Sequence, residues 1–208
     1  MAGLMVARSG HSDSFTTRSR SYQSEHEEDL MRDVVLMMTT SVDGYVRGTG
    51  GTVPEPAELK QFKLERIRRA GTHIMGRVTY AEMSSYWPTS SDDYAAPMNE
   101  IPKVVFSKTL QEAAWPKSTI ASGDLADEIA ALKREPGGEI IAWGGADFVQ
   151  ALSKARLIDE YMLVIQPMAF GAGLPMFKDL PAALPLELVD ARRFAPDYVV
   201  NSYRPVAS

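Results

Sequence analysis

The sequence predicts an α/β protein whose central sheet is mainly parallel, with an antiparallel carboxyl-terminal edge and helices on both faces. Short continuous apolar runs recur along the chain, as is typical of strands covered on both faces. Segments with the apolar spacing of helices alternate with these runs. Two β-like runs within 186–204, separated by Pro196-Asp197, close the domain and predict a hairpin. Alternating strands and helices followed by a strand pair imply this architecture.

The elements in the first half of the domain have clear boundary signals. Val34 to Met38 is an apolar run that predicts the first strand, and Asp43-Gly44 predicts the turn after it. Pro56 suits the first turn of a helix that Gly71 ends. We also expect a loop over 48–51, a strand over 72–75, a helix over 78–84 and a strand over 104–106.

The second half continues the same alternation. Asp124 can cap a helix, and Pro136-Gly137-Gly138 ends that helix. A further helix follows Gly144-Gly145 and carries apolar side chains at 148, 152 and 155. The remaining strands are expected over 119–121, 139–143 and 161–165.

Composition narrows the classes of function. The chain has no cysteine, which excludes disulfides, thiol nucleophiles, cysteine metal sites and iron–sulfur clusters. The formal net charge of -5 argues against a nucleic-acid partner, which would require a basic face. No apolar run approaches the roughly 18 residues that span a bilayer, so we expect no membrane partner. These features favour a cytoplasmic protein without a metal site.

Residues 1–32 differ from the rest of the sequence. Serines and arginines alternate over 8–21 and acidic residues follow at 25, 27 and 28. Few of these side chains can join a core, so we predict a disordered tail, followed by a domain over 33–206. An arginine- and serine-rich opening is also compatible with an organelle transit peptide.

Three glycine-marked junctions are predicted to connect strands to helices. They are Gly76-Arg77-Val78-Thr79, Gly144-Gly145-Ala146 and Gly171-Ala172-Gly173. Carboxyl ends of parallel strands form the usual ligand crevice, and glycine lets backbone N–H groups approach an anion at a helix N-terminus. The first two junctions can therefore each hold one phosphate of a dinucleotide. The alternative is that these glycines simply form tight turns, and Asp147 would repel a phosphate if it pointed inward.

Two carboxyl groups are candidate catalytic residues. Glu58 lies in the first turn of the helix that begins near Pro56, where it either stabilises the helix dipole or donates a proton to a substrate. Asp43 precedes Gly44, and ordering a turn is the simpler role for it. Dinucleotide and P-loop glycine motifs are absent, as are the zinc-protease and serine-hydrolase motifs. We expect His73, in a strand, to be a packed side chain.

The order of several short motifs resembles the dihydrofolate reductase superfamily, in particular its branch related to the reductase domain of bacterial riboflavin biosynthesis. The resemblance covers residues 33–205. The matching motifs, in order along the chain, are 41–45 (SVDGY), 76–80 (GRVTY), 107–108 (SK), 143–146 (WGGA), 157–160 (LIDE), Pro167 and 171–177 (GAGLPMF).

This resemblance implies a three-layer α/β/α fold and NADPH as the hydride donor. It implies that the cofactor's phosphates contact Gly76, Arg77 and Thr79, and that its adenosine 2′-phosphate lies near Ser107 and Lys108. It assigns the pyrophosphate and nicotinamide half to Gly144, Gly145 and Ala146, and places Thr40, Ser41 and Asp43 beside the nicotinamide. Glu58 precedes Phe62-Lys63 by four positions, as the acidic residue of folate reductases does. The tryptophan of their substrate loop has no clear counterpart, so the substrate need not be a pterin.

We therefore expect an NADPH-dependent oxidoreductase that transfers a hydride to a small heterocycle, pterin-like or pyrimidine-like. Alternatives are a riboflavin-pathway reductase of a ribosylamino-pyrimidine phosphate and a non-catalytic NADP-binding protein of the same fold. A homodimer is also expected, because strand 161–165 and the closing hairpin have more apolar surface than one sheet face requires. Core burial is the alternative reason for that surface.

Overall fold

The computed structural model describes residues 31–48, 51 and 53–206. Residues 1–30 of the predicted tail lie outside this range. Arg32, which the sequence assigned to the tail, is instead part of the domain and only 6% exposed. Its guanidinium donates hydrogen bonds to the Gly138 carbonyl at 2.7 Å and to the Thr72 hydroxyl at 2.7 Å. A buried cation with these partners anchors the start of the domain, which begins one residue earlier than predicted.

Ten strands and five α-helices make up the described part of the chain. The strands are β1 (Val34–Thr40), β2 (Tyr45–Gly48), β3 (Thr72–Gly76), β4 (Lys103–Phe106), β5 (Ser118–Ala121), β6 (Ile140–Trp143), β7 (Glu160–Ile165), β8 (Gly173–Pro175), β9 (Leu186–Phe194) and β10 (Tyr198–Pro205). The helices are α1 (Ala57–Ile67), α2 (Arg77–Tyr86), α3 (Ala95–Glu100), α4 (Leu125–Arg134) and α5 (Ala146–Lys154), and a 3₁₀ turn spans Trp87–Thr89.

Eight of the strands form one sheet in the order β5-β4-β3-β6-β1-β7-β10-β9. The pairs from β5 to β7 are parallel, while β10 is antiparallel to both β7 and β9. The predicted mainly parallel sheet with an antiparallel carboxyl-terminal edge is confirmed. Because β3, β6 and β1 are neighbours, their carboxyl ends meet at one edge of the sheet.

The sheet is covered on both faces by apolar clusters. Alternate residues of β1 divide between them: Val35 and Met37 face α1, α2 and α3, whereas Leu36 and Met38 face α4 and α5. Below, the first is called the α1 face and the second the α5 face. This period-two division is the expected consequence of strands buried on both sides. It confirms the three-layer α/β/α arrangement.

One predicted glycine junction is wrong. Gly173 is the first residue of strand β8 and does not precede a helix, and β8 pairs antiparallel with β2 in a small second sheet. A Cβ on Gly173 would run into the carbonyl oxygen of Arg47, and its φ of 153° also favours glycine. The sequence placed Gly48 in a loop and missed both short strands, since their pairing joins segments more than 120 residues apart.

Two further structural observations concern the residues that the structure describes. None of their helices is long and apolar enough to cross a membrane. Within the same residues, no three histidine, aspartate or glutamate side chains come together in a way that would hold a metal ion.

Candidate active site

A cleft of about 490 Å³ opens at the carboxyl ends of β1, β3, β4 and β6. This volume is typical of small-molecule and cofactor sites, which run from about 300 to 1,000 Å³. The glycine junctions at Gly76 and at Gly144-Gly145 both line this cleft, together with apolar and charged side chains. The lining comprises Met38, Val46, Arg47, Gly76, Arg77, Val78, Thr79, Glu82, Phe106, Gly144, Gly145, Ala146, Asp147, Phe148 and Leu174.

The first bend begins α2. Gly76 is the N-cap residue, and no side chain makes a capping hydrogen bond there. The first turn contains no acidic residue and begins with Arg77, which is exposed. Uncapped N–H groups, the positive end of the helix dipole and a guanidinium therefore lie together at the cleft. This combination suits an anion such as a phosphate.

The second bend begins α5 and also has no side-chain cap. A Cβ on Gly144 would collide with the terminal methyl of Met38, so glycine here allows Met38 to lie across the bend. A Cβ on Gly145 would lie 3.1 Å from the Thr79 hydroxyl oxygen. Thr79 is only 4% exposed, so the two bends touch each other at the base of one cleft.

One wall of the cleft is aromatic. The rings of Phe106 and Phe148 lie 5.2 Å apart, centroid to centroid, at an interplanar angle of 34°. Leu174 and Val78 are 46% and 55% exposed, so apolar surface remains open to solvent at this cleft. An aromatic wall beside exposed aliphatic side chains can accept the flat face of a base or another ring.

Charges at the cleft are balanced. Arg47 forms an ion pair with Glu82 at 3.1 Å, and both side chains are more than half exposed. Asp147 lies in the first turn of α5 and is exposed. Arg77 makes no ion pair or hydrogen bond with the residues the structure describes, which leaves its guanidinium available to a ligand.

The 2′-phosphate candidates Ser107 and Lys108 follow Phe106 but do not line the cleft. The hydroxyl oxygen of Ser107 accepts hydrogen bonds from the backbone N–H groups of Thr109 and Leu110, at 3.2 and 2.9 Å. Lys108 is exposed. Their contact with a 2′-phosphate stays a prediction.

Thr40, Ser41 and Asp43 lie beyond the cleft lining, at and after the end of β1. The Asp43 carboxylate accepts hydrogen bonds from the Ser41 hydroxyl at 2.6 Å and from the N–H groups of Phe170 and Gly171 at 3.0 and 2.7 Å. These bonds lower the pKa of Asp43 to about 2. The carboxylate therefore ties two loops together and carries no proton at neutral pH, in agreement with the turn-ordering interpretation.

Glu58 is not brought to the cleft. Its neighbour Leu59 is fully buried on the α1 face, while Glu58 itself is exposed beside a shallow depression that also includes Phe62 and Glu65. The cleft is lined from both faces, since Met38 and Phe148 belong to the α5 face and Arg77 and Thr79 come from α2 on the α1 face. A proton-donating role for Glu58 requires a substrate that reaches beyond this lining toward α1.

His73 is fully buried, as expected for a packed side chain. Burial, together with the nearby positive charge of Lys103, lowers the pKa of His73 to about 3. Its ring lies 5.6 Å from that of Trp143 in an edge-to-face arrangement. Trp143 packs on the α1 face. The next residue, Gly144, lies against Met38, which belongs to the α5 face.

Several cleft residues were missed by sequence reasoning. Met38 was expected only as part of a buried strand, and Phe106 and Phe148 only as packed apolar side chains. Gly144 was the available signal for Met38, because a glycine before a helix leaves room for another side chain to pack closely against the backbone. No local signal marked Phe106 and Phe148 as a pair, because they lie 42 positions apart and meet only through the order of the strands.

Comparisons with known proteins agree with this fold. The family model described as "RibD C-terminal domain" matches residues 32–200. The uncharacterized protein YyaP of Bacillus subtilis (strain 168) is 25% identical over 178 residues, which cover 83% of this chain and 94% of YyaP.

Two solved structures share the fold. A putative riboflavin biosynthesis protein from Shewanella sp. PV-4 superposes with a TM-score of 0.70 at 24% identity, covering 85% of this chain and 100% of the other. Dihydrofolate reductase from Enterococcus faecalis, in complex with NADP(H) and RAB-propyl, superposes with a TM-score of 0.57 at 17% identity, covering 84% and 97%. The chain therefore belongs to the RibD C-terminal domain family and has the dihydrofolate-reductase-like fold.

Proposed function

We propose that this protein is an NADPH-dependent reductase of a small heterocyclic substrate. The observation that carries the proposal is the meeting of two uncapped helix N-termini, at Gly76 and Gly145, in one cleft beside Arg77. A dinucleotide presents two linked phosphates, and each bend offers backbone N–H groups to one of them. Membership of the RibD C-terminal domain family supports a reductase-type activity.

The residues present fit this cofactor. Gly145 has no Cβ, and among the described residues the Thr79 hydroxyl is the one group close to the position that a Cβ would take, so its backbone is open to close approach; at Gly144 the methyl of Met38 occupies that position. Arg77 would pair with a phosphate, and the wall of Phe106 and Phe148 would accept the adenine. When bound, NADPH would supply the hydride, while the protein supplies orientation and electrostatics.

We propose a C=N or C=O bond of a pterin-like or pyrimidine-like ring as the hydride acceptor. Reduction of such a bond also consumes a proton. Asp43 is the weaker candidate for this proton, because its pKa of about 2 leaves the carboxyl group ionised near neutral pH. Glu58 and water are the candidate donors, and Glu58 requires a substrate that reaches from the cleft toward α1.

A second candidate is reduction of a ribosylamino-pyrimidine phosphate in a riboflavin-type pathway. The family match favours it. Such a substrate brings its own phosphate, which needs a cation besides the one that holds the cofactor. Besides Arg77, the cation that lines the cleft is Arg47, and it is already paired with Glu82 at 3.1 Å. We therefore rank this substrate below a ring without a phosphate.

We also propose that the protein forms a homodimer, and its expected cytoplasmic location stays a prediction.

The proposed activity is tested by mixing the full chain with NADPH or NADH and a panel of oxidised pterins and pyrimidines, including a ribosylamino-pyrimidine phosphate. The readout is loss of the near-ultraviolet absorbance of the reduced nicotinamide. We expect turnover with at least one ring and a preference for NADPH.

The other outcomes separate the alternatives. Stoichiometric NADPH binding without turnover across the panel would favour a non-catalytic NADP-binding protein. Turnover confined to the phosphorylated pyrimidine would favour the riboflavin-type reductase. Failure of both reduced cofactors to bind would remove the proposal altogether.

A further inference from the structure

An exposed ion pair joins two walls of the cleft. It connects Arg47, on β2, to Glu82, on α2, at 3.1 Å, and both residues line the cleft. The small sheet that carries Arg47 packs on the α5 face, where Val46 of β2 and Met176 after β8 belong to the apolar packing. Helix α2 packs on the opposite face, since Tyr80 belongs to the apolar cluster there. The ion pair therefore spans the cleft from one face of the main sheet to the other.

The backbone of Arg47 is fixed, while its side chain can move. Strand β2 pairs with β8, and the Arg47 carbonyl lies so close to Gly173 that a Cβ there would collide with it. A hydrogen bond of 2.9 Å from the Gln150 side chain to the Pro175 carbonyl ties β8 to α5. By contrast, the side chains of Arg47 and Glu82 are 66% and 55% exposed. Each of them can change its partner by rotation about side-chain bonds, without any movement of the strand or the helix.

Glu82 lies one turn beyond the start of α2. Val78 and Thr79 also line the cleft and precede Glu82 by four and three positions, so the three side chains share one face of the helix. At 1.5 Å per residue, Glu82 is about 6 Å further along the helix axis than Val78. The carboxylate is thus close to the uncapped N-terminus that would hold a phosphate. Its charge opposes a phosphate there, and the same charge holds the Arg47 guanidinium.

We infer that Arg47 is a second phosphate ligand of the cleft, besides Arg77, and that Glu82 masks it until the ligand arrives. The inference rests on the proposed function, because the incoming group is the diphosphate of the dinucleotide. As the diphosphate binds, the Arg47 guanidinium exchanges the Glu82 carboxylate for phosphate oxygens, and Glu82 turns to solvent. Glu82 is in this way a specificity-determining residue: it admits a group that binds a guanidinium more strongly than a carboxylate does, and it disfavours neutral hydroxyl groups at the same place.

The balance of charges favours this exchange. The lining of the cleft carries two arginines and two carboxylates, namely Arg47, Arg77, Glu82 and Asp147. An exposed ion pair contributes little to stability, because water screens its charges. A guanidinium can instead donate two parallel hydrogen bonds to a phosphate, which is a stronger and more directional contact. Once Glu82 has turned away, two guanidinium groups face the two negative charges of the diphosphate.

A double-mutant cycle on the full chain tests the inference, with NADPH affinity measured by calorimetry at low salt. We expect Arg47→Met to bind NADPH about tenfold more weakly, through loss of a charge-assisted hydrogen bond. We expect Glu82→Gln to bind it about two- to fivefold more tightly, because the competing ion pair is gone. In the Arg47→Met background, Glu82→Gln should change the affinity less than about twofold, because no guanidinium is left to mask.

The cycle separates masking from two simpler roles of the ion pair. If the pair only held the cleft closed, both single variants would change the affinity in the same direction, and the inference would be wrong. If Glu82 acted on the phosphate directly, its substitution would tighten binding equally with and without Arg47, which would also overturn the masking. Asp190→Asn and Arg192→Met are the controls for net charge, since they break an exposed ion pair on β9, outside the cleft. We expect natural affinity in both controls.

Phosphorus-31 NMR with NADPH and with inorganic pyrophosphate distinguishes failure of this inference from failure of the proposed function. In the NADPH complexes we expect Arg47→Met to alter the diphosphate resonances and to leave that of the 2′-phosphate unchanged. An NADPH affinity that either single variant leaves unchanged would overturn the inference while the cofactor proposal stands. If the natural chain binds no NADPH, the cofactor proposal fails, and affinities for inorganic pyrophosphate decide the inference. The order Glu82→Gln, natural chain, Arg47→Met, from tightest to weakest, would then support it, and equal affinities would overturn it.

Discussion

The hydroxyl oxygen of Thr79 lies 3.1 Å from the position that a Cβ of Gly145 would occupy. The first turn of α2 therefore lies close to the start of α5, although the two elements are far apart in the sequence. Both bends line one cleft, and each has a helix N-terminus without a side-chain cap. The cofactor proposal depends on this juxtaposition.

We predict that Gly144→Ala weakens both folding and NADPH binding. The new Cβ would meet the methyl of Met38 and lie 3.1 Å from a Val149 methyl, so Met38 must move. The end of the Met38 side chain is flexible and can move, so we expect a cost of about 1 kcal/mol, the lower end of the range for overpacking. Chemical denaturation measures the free energy of unfolding, and calorimetry measures the affinity for NADPH.

The double variant Gly144→Ala/Met38→Ala provides the control for this prediction. Shortening Met38 removes the atoms that the new Cβ would strike. The double variant should therefore lose less free energy of unfolding than the two single variants lose together. Strict additivity would show that Met38 does not restrict this bend.

Asp43→Asn should loosen the loop that carries Phe170 and Gly171. The pKa of Asp43 is about 2 in the fold against an ordinary 3.8, so its contribution to stability is complete above pH 4 and is lost as the pH falls toward 2. At neutral pH we expect faster hydrogen exchange at the Phe170 and Gly171 amides of the variant. Asp179→Asn serves as the control, and unchanged exchange at both amides would contradict the assigned role.

The amino-terminal side of the sheet contains a partly buried ion cluster that predicts a second pH effect. Arg66 donates hydrogen bonds to both carboxylates, with distances of 2.9 Å to Glu139 and 2.7 Å to Glu160. Burial alone would raise the pKa of Glu160, but the hydrogen bonds and charge of Arg66 outweigh it and lower that pKa. The stabilisation is therefore present above pH 4.5 and is lost as the pH falls through the lowered pKa of Glu160.

Glu160→Gln should accordingly destabilise the protein by about 1–3 kcal/mol at neutral pH. The difference from the natural chain should narrow in denaturation experiments below pH 4.5, where the natural carboxylate also takes up protons. Glu139→Gln is the matched comparison, because the Glu139 side chain is 35% exposed against 8% for Glu160 and should contribute less. An equal loss of stability in Glu160→Gln and Glu139→Gln would argue against burial as the reason that Glu160 contributes more.

Local signals in the sequence predicted most of the fold. Apolar runs located the long strands, and Asp124 marked the start of α4, where its carboxylate accepts hydrogen bonds from the N–H groups of Ala126 and Asp127. The short strands β2 and β8 were missed, because each has only a few residues and exists through pairing with the other. Helix α3 has six residues and likewise depends on packing more than on propensity.

The candidate site was predictable to the extent that it is local. Gly76, Gly144 and Gly145 sit at strand-to-helix junctions that the sequence displays directly. Which other side chains reach the cleft depends on strand order, a long-range property, and this is why Met38 and Phe148 were missed. Glu58 matched a spacing known from folate reductases, but it is exposed and does not line the cleft.

The affinity for NADPH of the natural chain and of Arg77→Met tests the central claim most directly. Arg134→Met, an exposed arginine at the end of α4, is the matched control. Loss of a charge-assisted hydrogen bond of about 1.5–3 kcal/mol predicts that Arg77→Met binds NADPH at least about tenfold more weakly by calorimetry at low salt. The control should bind as the natural chain does. Equal NADPH affinity in all three proteins, or no binding by any of them, would contradict the account.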